Sequence, residues 1–102
     1  MTFKVIADAD AVQDWYEAVE YYESKEPGVG LKFDDAIRSF LQTLSEHPER
    51  FPAATRLARK AKLLSPWPFT IFFVINAEFR EVKVLAIWHG AQNPARLRRR
   101  LQ

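Results

Sequence analysis

Apolar residues along this chain recur first at helical spacing and then, past the midpoint, at strand spacing. Phe3-Lys4-Val5-Ile6-Ala7 alternates loosely and predicts a short first strand. Asp8 and Asp10 are both good N-cap residues, and Gln13 follows Asp10 by three, the spacing of a capping box. Val12, Trp15, Tyr16, Val19 and Tyr22 then form an apolar stripe, with Asp14, Glu17, Glu20 and Glu23 expected on the opposite, solvated face. This helix ends near Lys25, before Pro27-Gly28. A second helix is predicted from about Gly30 to Glu46, with the stripe Phe33, Ala36, Ile37, Phe40, Leu41 and Leu44. Pro48 sets its end, because the residue before a proline is pushed out of the α region. A short Pro-Gly connection makes the two helices antiparallel neighbours.

After an irregular stretch through Pro52, the period becomes that of strands. Leu57 to Leu64 is one candidate. Phe69 to Ile75 is almost continuously apolar and reads as central, and Val82 to Trp88 pairs back on it through a turn at Asn76-Ala77-Glu78-Phe79. The tail from Pro94 is short and compatible with a helix. The order β-α-α-β-β-β predicts an α+β fold. In it the N-terminal helical hairpin packs on one face of a small antiparallel sheet, and a short C-terminal helix or tail follows. A length of 102 residues fits one domain spanning 1–102.

Charge sharpens this division. Residues 1–49 carry four basic side chains against eleven acids, a net of −7, whereas residues 50–102 carry eleven against two, a net of +9. The chain is therefore expected to be an electrical dipole whose positive pole attracts polyanions or acidic proteins. There are no cysteines, which excludes disulfides and thiolate metal sites and fits a reducing compartment such as the cytoplasm. No apolar stretch approaches the roughly 20 residues that span a bilayer, so no membrane partner is expected.

Ordinary cofactor enzymology is not indicated. His47 and His89 stand alone without a spaced second metal ligand. Three glycines in total leave no dinucleotide or phosphate loop, so neither a cofactor nor a small-molecule substrate is expected. What remains is basic. Arg56, Arg59, Lys60 and Lys62 cluster on the first strand after the hairpin, and strand alternation projects Lys60 and Lys62 together, with Arg59 pointing away. Such lysines also protect an edge strand from aggregation. Phe69, Phe72 and Phe73 read as core rather than as base-stacking platforms. Arg96, Arg98, Arg99 and Arg100 form either an electrostatic clamp or a solvated end. His89-Gly90 closes the last strand, where a missing Cβ lets a partner backbone approach.

The run from Arg59-Lys60-Ala61-Lys62-Leu63 through Trp67-Pro68-Phe69-Thr70-Ile71-Phe72-Phe73 to Leu85-Ala86-Ile87-Trp88-His89-Gly90 resembles the RelE/ParE superfamily of toxins. These are the toxins of type II toxin–antitoxin systems, and the His-Gly strand end makes the chain ParE-like, akin to plasmid stabilisation proteins. The resemblance implies a toxin of the bacterial cytoplasm held inactive by a cognate antitoxin that folds around it. ParE-like members poison DNA gyrase by binding. For that activity the implied contacts are Arg59, His89, Arg96, Arg98, Arg99 and Arg100. RelE-like members cut messenger RNA on the ribosome. That alternative would use His89 to move protons, with Lys60, Lys62 and Arg80 stabilising charge. A third possibility is a decayed toxin that only binds its antitoxin. Two departures stand out: no tyrosine lies beyond Tyr22, and Ala91-Gln92-Asn93-Pro94 replaces the common Arg-Arg-Asp-Pro, removing two positive charges from the loop.

Overall fold

The computed structural model describes residues 2–102. They run β1 (Lys4–Ala7), α1 (Ala9–Lys25), α2 (Val29–Glu46), one 3-10 turn (Pro48–Arg50), β2 (Arg59–Lys62), β3 (Phe69–Asn76), β4 (Glu81–His89) and α3 (Pro94–Arg100). The expected α+β order holds, with the hairpin on one sheet face and a short helix at the end. The strands lie in the order β1-β4-β3-β2. β2, β3 and β4 form the expected antiparallel meander, whereas β1 joins β4 in parallel, so the complete sheet is mixed. The hairpin, inserted between β1 and the rest, returns the chain to the same end of the sheet and makes that parallel pairing possible.

Local chemistry sets the helix ends. Asp8, not Asp10, caps α1: its carboxylate accepts from the Asp10 N–H, and Gln13 plays no part in a capping box. The start of α2 has no cap of its own. Gly28 turns the chain at φ 93°, a left-handed conformation that glycine adopts without penalty. The Glu23 carboxylate reaches across from α1 to accept from the N–H groups of Gly28 (2.9 Å) and Gly30 (3.0 Å). Two of the orphan donors of α2 are thereby satisfied by the neighbouring helix. A Cβ on Gly30 would lie 2.7 Å from the Val19 carbonyl oxygen, so glycine is what lets the two helices approach here.

The main core lies between hairpin and sheet. Phe33, Ile37 and Leu44 of α2 and Ala11 and Ala18 of α1 meet Ile71, Phe73, Val82, Val84 and Ile87. Tyr16, expected on the apolar stripe, is 64% exposed instead, because α1 turns Ala11 and Ala18 toward β4 and Trp15, Val19 and Tyr22 toward the rest of the core. A second cluster forms on the other sheet face. There Leu97 and Leu101 of α3, with Ala54, cover Phe72, Ala86 and Trp88. The C-terminal half of β4 is thus covered on both faces and is buried at 86–88 without alternation. A bulge marks the change: Phe73 pairs with Val84 but Phe72 with Ala86, leaving Leu85 unpaired.

β2 is shorter than the expected Leu57–Leu64. Residues 53–58 fold back on themselves, the Ala58 carbonyl accepting from both Ala54 and Thr55 N–H while Thr55 Oγ1 accepts from Ala58 N–H. Leu57 is consequently exposed in a loop rather than paired in a strand.

Candidate target-binding surface

Strand register sorts the basic side chains by face. Lys60 pairs with Phe72 and Lys62 with Thr70, while Phe72 and Thr70 pair in turn with Ala86 and Trp88. Directly paired residues share a face, so both lysines project on the side that α3 partly covers. Both are exposed. Asn93 caps α3 by accepting from the Ala95 N–H, and Pro94 occupies its first turn. Because Leu97 and Leu101 point into the sheet, helical spacing of about 100° per residue turns Arg98 to one flank, Arg100 to the other and Arg99 outward. Arg98 faces the 55–57 loop, where it lines a shallow cleft with Arg56, Leu57 and Leu101. Arg96, Arg98 and Arg99 are all exposed.

The remaining predicted cations are occupied. Arg100 is drawn inward, its guanidinium donating to the Asp14 carboxylate at 2.5 Å and stacking 5.0 Å from the Trp88 ring centre. This corrects two expectations at once. Arg100 is not part of a free tail, and Asp14 is not on a solvated face: its side chain is only 10% exposed, and it also accepts from the Ile87 N–H at 3.0 Å. Burial pushes the Asp14 carboxyl above its ordinary value. The hydrogen bonds from Arg100 and Ile87 and the Arg100 charge offset part of that push. Arg59 is likewise committed, donating to the Phe51 (2.7 Å) and Glu49 (3.1 Å) carbonyls and so tying β2 to the segment after α2. Lys83 lies 3.7 Å from Asp8.

The nuclease set does not converge. His89 pairs with Phe69, whose ring it meets edge-on at 5.1 Å, and so lies on the hairpin face, opposite Lys60 and Lys62. Its Nδ1 accepts from the Ala91 N–H, which leaves the ring proton on Nε2 in the neutral form, while its own backbone N–H donates to Gln92 Oε1. Arg80 sits in the β3–β4 turn at the far end of the sheet with φ 49°, its guanidinium 4.2 Å from the ring centre of Phe3. Its backbone carbonyl accepts from Lys4 N–H, on the edge of the sheet away from β2.

Two residues that organise this region were not singled out from sequence. Gln92 orders the strand-end loop. Asp14 ties α1, β4 and α3 together, and the legible signal was its place between Ala11 and Ala18, two small residues on one helical seam that must lie against something. Among the described residues, no group of three or more His, Cys, Asp or Glu is placed to hold a metal ion. No helix is long and apolar enough to cross a membrane.

A helical hairpin on a four-stranded sheet with a short C-terminal helix matches the fold of RelE/ParE toxins. A chain from the chromosomal ParDE system of P. aeruginosa superposes with a TM-score of 0.74 at 20% identity, covering 85% of this chain and 95% of that one. A mutant E. coli RelE toxin in the free state gives 0.65 at 15% identity over 95% and 93%. The RelBE2 toxin–antitoxin complex of Mycobacterium tuberculosis gives 0.64 at 19% over 87% and 99%. Comparison with curated protein sequences finds no significant match. The family described as the ParE toxin of the type II toxin–antitoxin system parDE matches residues 5–94, and the chain belongs to that family.

Proposed function

We propose that this ParE-family toxin arrests growth by binding and poisoning DNA gyrase, with no chemistry of its own. The contact surface in this reading is the exposed basic face of β2 and α3, namely Lys60, Lys62, Arg96, Arg98 and Arg99. The observation that carries it is the division of the residues an endoribonuclease would need. His89 lies on one face of the sheet and Lys60 and Lys62 on the other, with Arg80 at the far end stacked on Phe3. Acid–base cleavage of RNA requires the proton carrier and the charge-stabilising cations within hydrogen-bond reach of one phosphate. A binding-type toxin has no such requirement.

Arg59 and Arg100, implied contacts by family resemblance, act in this reading as framework, since each guanidinium is tied into the fold, Arg59 to the Phe51 and Glu49 carbonyls and Arg100 to the Asp14 carboxylate. His89 orders the loop that leads into α3. A cognate antitoxin, acidic enough to cover the basic face, neutralises the toxin in the bacterial cytoplasm, and the whole chain acts as one domain. Relatives of the same fold include toxin–antitoxin complexes, which supports that partner.

The test is induction of the toxin with and without the adjacent antitoxin gene, followed by gyrase supercoiling with purified protein and by transcript integrity. Stalled supercoiling with intact transcripts is expected. Cleaved transcripts with normal supercoiling would overturn the reading in favour of the ribonuclease. Antitoxin binding without either effect would identify a decayed toxin.

A further inference from the structure

We infer that the basic face of β2 and α3 docks on the phosphate backbone of duplex DNA, so that the toxin grips the nucleic acid its target holds as well as the target itself. The inference rests on the gyrase reading for the choice of DNA. Its physical basis is separate.

Five cations carry it: Arg56, Lys60, Lys62, Arg98 and Arg99. All are exposed, and none is in an ion pair among the described residues, where the only pairs are Arg38–Asp34, Lys83–Asp8 and Arg100–Asp14. Lys60 and Lys62 stand two residues apart on one strand face, about 6.6 Å along the strand. The Thr70 side chain is on the same face beside Lys62. Arg98 and Arg56 line one cleft, which places Arg98 of the helix next to the loop before β2.

The surroundings favour an anion of this shape. No acid occurs between Arg50 and Ala77 or after Glu81, so the segments that build the face bring no carboxylate of their own. The acids concentrate in the hairpin on the other side of the sheet, where their field turns the basic face toward a polyanion. Single-stranded nucleic acid is recognised largely by stacking bases on exposed aromatic rings. Phe72 and Trp88, the aromatic residues of this face, are both buried beneath α3. Exposed Tyr16 and Tyr21 belong to the acidic hairpin, and Phe79 to the distant β3–β4 turn. A face with exposed, unpaired cations and no stacking platform suits a duplex whose bases stay paired, and the binding it gives is independent of sequence.

Antitoxin-free toxin is titrated into a fluorescein-labelled duplex of about 20 base pairs, and anisotropy is read from 50 to 200 mM salt, as for counterion release. With about five phosphates neutralised, log K is expected to fall with log salt at a slope of about −4.5, a loss of roughly 500-fold across that range. The double variant K60A/K62A, at two exposed sites, flattens the slope by about 2. R98A flattens it by about 1. The double variant K25A/K32A removes two charges from the hairpin and leaves the slope unchanged; circular dichroism verifies that each variant is folded. A slope near zero, or equal loss in K25A/K32A, overturns the inference, as does tighter binding of single-stranded RNA or double-stranded RNA than of duplex DNA. Gyrase supercoiling with the same proteins separates the two ideas. Stalled gyrase without DNA binding sinks the inference alone, and DNA binding with unaffected gyrase sinks the reading it rests on.

Discussion

Removing the Arg100 guanidinium should destabilise the toxin in a manner that depends on pH. The side chains of Arg100 and Asp14 are 19% and 10% exposed, so the substitution Arg100→Ala strands a carboxylate that is largely out of water. Breaking a buried pair from one side costs about 3–5 kcal/mol. Asp14 keeps the Ile87 N–H, which lowers the expectation to about 2–3 kcal/mol, and loss of the contact over Trp88 adds about 0.5–1 kcal/mol. Against a total stability of about 5–15 kcal/mol this is a large fraction, and it lowers the urea midpoint by about 1–2 M.

The direction of the pH effect follows from the carboxyl. Burial already raises the Asp14 pKa, and Arg100 is the main influence holding it down, so the variant raises it further. An acid whose pKa is higher folded than unfolded holds its proton longer in the native state, and stability falls as pH rises through the interval between the two values. Below the ordinary carboxylate range Asp14 is protonated in both states, and no buried charge is stranded. The deficit relative to the unsubstituted protein should therefore be small near pH ~3 and complete at neutrality. Urea denaturation followed by tryptophan fluorescence at both pH values measures it. Adding Asp14→Asn to Arg100→Ala should restore stability at neutral pH, since an amide oxygen still accepts from Ile87 and carries no charge. An equal deficit at both pH values, or no recovery in the double variant, would refute the reasoning.

Other expectations test the frame. Gly30→Ala drives a methyl to within 2.7 Å of the Val19 carbonyl and should cost about 1–3 kcal/mol, read as a lower melting temperature. Glu23→Ala leaves the Gly28 and Gly30 N–H groups without their acceptor and should cost about 1 kcal/mol in the same assay. Ile71→Ala, at a fully buried site of the central sheet, should cost about 2–5 kcal/mol in urea denaturation. His89→Ala should leave growth arrest unchanged when the antitoxin gene is absent; loss of arrest together with loss of transcript cleavage would favour the ribonuclease.

Elements with a strong period were legible. The stripe of α2 and the apolar run of β3 each have one way to be buried, and both appear where the pattern puts them. β1 is different: four residues predict a strand but carry no information on its direction, which depends on where the hairpin returns the chain. Leu57 looked like strand because it is apolar beside alternating residues. Hydrogen bonds between Thr55 and Ala58, which no hydrophobic pattern registers, decide otherwise. Asp14 was misplaced for a related reason. Beyond Ala7 the chain turns into α1, so the outer edge of β4 loses its strand neighbour, and the Ile87 N–H needs an acceptor from elsewhere. A helix laid along that edge supplies one through a carboxylate, and a carboxylate so buried requires a cation. Charge counted along the sequence assigns both residues to solvent, because neither partner is visible from the other across 86 positions.

That arrangement divides the four tail arginines between one held in the fold and three left to solvent, and whether the exposed ones make the proposed contact can be measured. One turn of helix packs Leu97 and Leu101 against the sheet, so the arginines around them cannot all face one way. Arg100 falls on the flank toward α1 and becomes a bolt, whereas Arg98 and Arg99 are left to solvent on the side of Lys60 and Lys62. Replacing Arg98 and Arg99 with alanine should abolish growth arrest while leaving the urea midpoint within error, since exposed unpaired charges contribute little to folding. Replacing Arg100 should do the reverse: a lower midpoint, with growth arrest retained per folded molecule. If the R98A/R99A protein lost stability instead of activity, the basic face would be scaffolding, and the docking surface would have to be sought elsewhere on the toxin.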